Sequence, residues 1–285
     1  MERQGIFRYN KVRNLSFGGL SVKKRIIVSN VVILCIASII VGHFYWKQKI
    51  SKPTAASVES SAENIKEDNS KQNDTREDYA KNLPEDVQKK IKTALKEKKQ
   101  LNFVIWGSES VPSDQNGWPE KLKKELLSAY GDELFNITIV SDAEETTHSV
   151  LNKKLYKKIA DKKPDILLFE PFILNDNGVV GIDNTLSNIT DILRKIQEAN
   201  PDVSIMLQPA HPLFGAKFYP KEVDALKQYA EENHFTYLNH WENWPDKEDE
   251  QLKQYVTEDR SKPSEKGNQV WGEYLIKYFV AKDGQ

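Results

Sequence analysis

Three regimes of hydrophobic patterning divide the chain. From Ile26 to Trp46 it reads IIVSNVVILCIASIIVGHFYW, with no acidic or basic side chain except His43. From Lys47 to about Asn82 the pattern inverts into Ser, Glu, Lys, Asn and Asp, with Tyr79 the only aromatic residue. Beyond that, apolar positions recur with helix and strand periods. Pro84 suits the first position of a helix, and Val87, Ile91 and Leu95 then fall four apart on one face. Short apolar runs predict strands over 101–106, 135–140, 165–169, 203–207 and 235–238. Between and after them, amphipathic stretches predict helices over 119–130, 149–162, 183–199, 220–233 and 265–281. The last helix carries Val270, Trp271, Tyr274, Leu275, Tyr278 and Phe279 along one stripe. Strands that alternate with helices predict a five-stranded parallel sheet covered on both faces, a three-layer α/β/α sandwich.

The apolar run is long enough, at about 1.5 Å per residue, to cover a hydrocarbon core of about 30 Å. Phe44, Tyr45 and Trp46 stand at its outer end, where amphipathic rings favour the headgroup level. Arg3, Arg8, Lys11, Arg13, Lys23, Lys24 and Arg25 precede it against Glu2 alone. Residues 1–25 are therefore expected to be a basic cytoplasmic tail, 26–46 a single transmembrane helix, and the remainder extracytoplasmic. A cleaved secretory signal is the rival reading, with an apolar core of about 7–15 residues and small residues at the cleavage site. Here the run is longer and Phe-Tyr-Trp stands in that place, although Ala55-Ala56 follows. An uncleaved anchor is the expectation. Residues 47–82 offer too little apolar surface to offset the entropy of ordering, so they are expected to form a disordered stalk. Residues 83–285 form one domain.

Composition then excludes several chemistries. The net charge of -1 supplies no field that would draw nucleic acid. The only cysteine, Cys35, lies in the apolar run, so the domain has no disulfide, thiolate nucleophile or zinc-thiolate site. His148, His234 and His240 show no metal-ligand spacing, and no cofactor or metal is expected.

Ligands of parallel sheets bind beyond the carboxyl ends of the strands. Three of the segments on that rim are unusually polar. Gly107-Ser108-Glu109-Ser110 follows the first strand, and Glu170-Pro-Phe-Ile-Leu-Asn175-Asp176-Asn177-Gly178 follows the third. Asp259-Arg-Ser-Lys262-Pro-Ser-Glu-Lys-Gly267 precedes the last helix. Each has a plain structural reading: a tight turn at Gly107-Ser108, a turn at Asn175-Asp176-Asn177-Gly178, and a brace for the last helix at Asp259. His211, in Gln-Pro-Ala-His-Pro after the fourth strand, stands on the same rim. Trp241 and Trp244 are of a type that stacks on sugar rings, but near a helix start such residues usually pack the core.

Taken with the strand order, these segments resemble the SGNH (GDSL) hydrolase family, over roughly Leu101 to Ala281. The most specific match is Asp259-x-x-Lys262-Pro263 with Gly267 and Trp271; Asn175-Asp176 is the next. The resemblance implies a flavodoxin-like α/β/α fold and ester hydrolysis or acyl transfer. It places a nucleophilic serine after the first strand and an oxyanion hole from a glycine after the second strand and Asn175 after the third. It places a base and its orienting carboxylate before the last helix. The chain departs from that pattern. Glu109 stands in the place of the serine, flanked by Ser108 and Ser110, and Lys262 stands in the place of the histidine. The segment from Ser141 to Thr147 has no glycine. The expected site is therefore Ser108 or Ser110, Asn175 and Asp259, with His211 or Lys262 as base. The expected activity is that of an esterase or acyl transferase on a bacterial cell-envelope glycan or lipid. The alternative is an inactive module of the same fold that binds an envelope polymer or a partner protein.

Overall fold

The computed structural model describes residues 75–282. The apolar run at 26–46, the basic tail and most of the expected stalk lie outside them. Among the described residues no helix is long and apolar enough to cross a membrane.

Strand residues alternate between two faces, and that alternation builds the layers. On β1 (Leu101–Gly107), Phe103 and Ile105 enter one core while Val104 and Trp106 enter the other. β3 (Ile166–Phe169) repeats the rule, with Ile166 and Leu168 on the first face and Leu167 and Phe169 on the second. So does β4 (Ser204–Leu207), with Met206 against Ile205 and Leu207. β2 (Phe135–Ser141) and β5 (Thr236–Tyr237) complete a sheet of order β2-β1-β3-β4-β5, with every pairing parallel. β3 and β4 are buried throughout, which is why they read as unbroken apolar runs.

Helices α1 (Glu85–Glu97), α2 (Trp118–Tyr130) and α8 (Glu265–Phe279) supply the first core through Val87, Ile91, Leu122, Leu126, Trp271 and Leu275. At its centre the rings of His240, Trp271 and Trp118 lie in a stack, with centroids 3.9 and 4.7 Å apart. The second core is closed by α4 (Tyr156–Ala160), α6 (Ile182–Ala199) and α7 (Tyr219–Glu232) through Ile159, Ile189, Ile192, Ile196, Val223 and Leu226. α3 (Thr147–Asn152) and α5 (Ile173–Asp176) are short and sit at the sheet's carboxyl rim.

Two departures from the sequence pattern go beyond a shift of one or two residues in an element's limits. The single helix expected over 149–162 is two pieces, because Lys154 takes a left-handed φ of 56° between them and a Thr146/Ser149 capping box starts the first piece early. Order also begins upstream of the expected boundary at Leu83. A helical turn over 75–78 carries Arg76, whose guanidinium donates to Tyr130 O at 3.2 Å and to Glu133 at 2.7 Å. Ala80 is buried, Tyr79 meets the Tyr130 ring edge-on, and Ala281 N–H donates to Tyr79 O. These contacts join residues far apart in sequence, so the polar composition of the segment gives no sign of them. A chain beginning at Leu83 should unfold in urea with at least about 1 kcal/mol less stability than one beginning at Thr75, since it loses a buried Ala, a ring contact and several hydrogen bonds. Equal midpoints for the two chains would show that 75–82 adds nothing.

Candidate functional site

The site grows from the end of β1. Glu170, one residue beyond β3, is fully buried and must find hydrogen-bond donors. Its Oε2 accepts both the N–H of Ser108 (2.7 Å) and the O–H of Ser108 (2.6 Å), and Oε1 accepts Phe172 N–H at 3.1 Å. A side chain at position 107 is impossible under this clamp, because a Cβ there would come within 2.7 Å of Glu170 Oε2. Burial pushes the Glu170 carboxyl up to about 7, against the pull of its hydrogen bonds with Ser108.

The clamp opens a turn that Val111 N–H closes on Ser108 O at 3.0 Å. Ser108 and Ser110 are buried, and Ser110 N–H donates to Ser108 Oγ at 3.1 Å. Glu109 between them points to the rim and is half-buried. One of its carboxylate oxygens, Oε2, accepts Asn175 Nδ2–H at 3.0 Å and the backbone N–H of Glu144 at 2.9 Å. These are the two kinds of donor that the resemblance assigns to an oxyanion hole. The loop after β2 has no glycine, yet Glu144 takes the left-handed conformation itself, with φ 61°. Asn175 Nδ2 is further held by Glu145 O at 3.1 Å. Asp176 is turned away: it is buried and accepts from Thr147 N–H and from the Thr147 and Thr185 hydroxyls, which locks α5 to α3 and α6.

On the inner side, Ser110 Oγ lies 3.1 Å from His211 Nδ1. His211 Nε2 lies 3.1 Å from the carbonyl oxygen of Arg260. A carbonyl can only accept, so the imidazole proton sits on Nε2 and Nδ1 offers a lone pair to the Ser110 hydroxyl. Full burial lowers the His211 pKa to about 4 and keeps the ring neutral near pH 7. His240 is likewise neutral, lowered to about 3 by burial, with Nε2 facing Pro209 O and Nδ1 accepting from Trp244.

The structure thus brings Ser108, Ser110, Asn175 and His211 to one end of the sheet. Asp259 and Lys262 are spent differently. Asp259 is exposed, and its carboxylate accepts from the Thr257 hydroxyl (2.5 Å) and from the N–H and O–H of Ser261, which holds it down at about 2. Lys262 is exposed, and its backbone closes the same turn onto Thr257. The segment reaches His211 through the Arg260 carbonyl and not through a carboxylate. Glu170 and Glu144 were absent from the expected set. A charged residue directly continuing the apolar run Ile166–Phe169 was the available sign of Glu170; nothing in the local sequence marks the Glu144 amide. Among the described residues no group of His, Cys, Asp or Glu is placed to hold a metal ion.

Buried titrating groups set an acid limit. The ordinary histidine value is 6.5, so below that pH the unfolded chain takes up protons that folded His211 and His240 refuse. Their contribution is full above pH 6.5 and is lost as pH falls towards about 4 and about 3. Glu170 has the opposite sign: its contribution is full below its ordinary 4.5 and is lost as pH rises through about 7. Asp176 and Glu222, raised by burial, share the sign of Glu170. The two fully buried histidines are expected to outweigh these carboxyls, so the urea midpoint should fall as pH is lowered from 6.5 to 4. A midpoint that rises over that interval would contradict the neutral assignments.

No protein-family model and no curated protein matches this chain. Solved structures do share its fold. A GDSL-like lipase from Parabacteroides merdae superposes with a TM-score of 0.53 at 11% identity, over 64% of this chain and 96% of that one. The psychrotrophic esterase EstA from Pseudoalteromonas sp. gives 0.50 at 17% identity, over 62% and 95% of the two chains. TesA gives 0.50 at 14%, over 62% and 97%. What these likenesses establish is the fold, that of the SGNH/GDSL hydrolases.

Proposed function

We propose that this SGNH-fold domain performs acyl-ester chemistry, hydrolysis or acyl transfer, on a cell-envelope glycan or lipid, with Ser110 as nucleophile and His211 as base. The observation that carries the reading is the Ser110–His211 pair at 3.1 Å, in the tautomer that can take the serine proton. In the reaction, Ser110 Oγ bonds to the substrate carbonyl carbon as its proton passes to His211 Nδ1. The carbonyl oxygen gains the negative charge and is held by Asn175 Nδ2–H and Glu144 N–H. Collapse expels the alcohol, which leaves with the proton from His211. Water or an acceptor hydroxyl then repeats the sequence and frees the serine. The donors now hold Glu109, and Ser110 is buried beneath it, so Glu109 must swing outward before a substrate enters.

A second reading rests on that same occupancy. A carboxylate seated on both donors disfavours a competing oxyanion, and the domain is then a binding module without turnover.

A fluorophosphonate probe on the full-length chain separates the two. In the enzyme reading Ser110 is labelled, Ser110→Ala abolishes labelling, and Glu109→Ala speeds it by at least about tenfold, a barrier change of about 1.4 kcal/mol. Asn175→Ala should slow turnover of an activated ester by about 10²–10³, the usual cost of one oxyanion donor. The rate should rise with pH through about 4, the His211 value, and stay flat to neutrality. If neither the parent nor the Glu109→Ala chain labels, the binding reading stands.

The apolar run from Ile26 to Trp46 supports placing the domain outside the cytoplasm on a membrane anchor. Protease added to intact cells should release a fragment that begins between Lys47 and Thr75. Protection of the domain from that protease would reverse the orientation.

A further inference from the structure

A separate cleft of about 420 Å³, which none of the chemistry above uses, borders the segment that carries His211. Its walls combine Pro212, Pro220 and Trp241 with the carboxyl-bearing residues Asp224 and Asp246. Pro212 directly follows His211, and the Trp241 indole N–H donates to Ala210 O at 2.7 Å, so two walls of the cleft are tied to the backbone on either side of His211. Trp241 is held twice, by that bond and by the Tyr219 ring at 5.6 Å. It is half-buried, and fixing it costs no further ordering when a ligand arrives.

The geometry points to a saccharide-binding subsite, which takes a neutral or amine-bearing oligosaccharide and, resting on the acyl-ester reading, presents its acyl group to Ser110. A sugar ring has apolar C–H faces and hydroxyl donors around its edge. Trp241 and the two prolines offer flat apolar surface, and carboxylates at the margin accept hydroxyl protons. Asp224 is exposed. Asp246 is also exposed; one of its oxygens takes Glu248 N–H, and the other has acceptor capacity to spare. The single cation on the wall, Lys247, is paired to Glu248 at 2.9 Å. The mouth is therefore acidic, which repels carboxylated, sulfated and phosphorylated chains and tolerates an amine.

The test uses the full-length chain in a detergent that lacks a sugar headgroup, titrated by calorimetry and followed by indole fluorescence. The probes are chitotetraose, its deacetylated form chitosan tetraose, a hyaluronan oligosaccharide as the carboxylated control, and a proline-rich peptide. Chitotetraose and chitosan tetraose should bind and the hyaluronan oligosaccharide should not. Trp241→Ala should weaken binding by at least about tenfold, or 1.4 kcal/mol. The Asp224→Asn, Asp246→Asn double variant, whose changes lie at the surface, should remove the preference for the amine-bearing probe. Trp241→Phe, which keeps a ring, should retain part of the affinity and guards against misfolding of the alanine variant. Silence towards both chito-oligosaccharides up to about 10 mM, an affinity worth less than about 3 kcal/mol, overturns the subsite. So does binding indifferent to every Trp241 and Asp224/Asp246 change, or binding of the peptide alone. Saccharide binding without fluorophosphonate labelling would leave the subsite standing and remove the enzyme reading. Labelling without saccharide binding would do the reverse.

Discussion

A buried carboxyl at the end of β3 decides the geometry of the rim. Glu170 has no water around it, so its oxygens take their hydrogen bonds from the N–H and O–H of Ser108 and from the N–H of Phe172. Those bonds fasten the turn after β1 to the neighbouring strand and exclude any side chain at Gly107. The turn that follows, closed by Val111 N–H on Ser108 O at 3.0 Å and by Ser110 N–H on Ser108 Oγ, leaves Ser108 and Ser110 buried and Glu109 on the rim. The later contacts of the site start from that turn: Glu109 with Asn175 and the Glu144 amide, Ser110 with His211. Replacing Glu170 by an apolar residue would strand the N–H and O–H of Ser108 in a dry interior, at a cost of about 1–3 kcal/mol for each one left unsatisfied, while Phe172 N–H would keep the Glu170 backbone oxygen.

The centre of the sheet was legible in the sequence because its inner strands are apolar for a local reason. β3 and β4 are covered on both faces, and a doubly covered strand has no polar positions to blur its limits. The rim was legible in part. Asn175 could be read from its setting after β3, and the serines from the turn after β1. What the sequence withheld was partnership. Asp259 matches a family motif by spacing, yet Thr257 and Ser261 are nearer in the chain and satisfy its carboxylate inside one turn. His211 lies about a hundred residues from Ser110, and no local pattern announces that β1 and β4 bring their following loops together. The Glu144 donor is a backbone amide, whose role depends on φ rather than on residue identity.

The two donors that hold Glu109 converge without a glycine in the loop after β2. A glycine is the cheapest residue at a left-handed position, and Glu144 holds that position at a cost of order 1 kcal/mol. Its amide donates to Glu109, and Asn175 is braced from behind by Glu145 O, so the two donors converge without glycine. Convergence of two N–H groups on one carboxylate oxygen means the pocket binds a negatively charged oxygen as it stands. Glu109 is then an internal ligand, tethered by the same turn that Glu170 fixes.

Lys262 stands where the resemblance to the SGNH hydrolases places a histidine, yet it is exposed and its backbone closes a turn onto Thr257. It is His211 that faces Ser110, on different terms from a histidine backed by a carboxylate. Its Nε2–H meets only a backbone carbonyl, and burial already disfavours its charged form. From its seat on the rim the Glu109 carboxylate favours the charged form of His211, against the burial that disfavours it. Swinging Glu109 outward would free Asn175 Nδ2–H and Glu144 N–H but carry that charge away from His211. Opening the two donors and supporting a charged His211 therefore pull Glu109 in opposite directions.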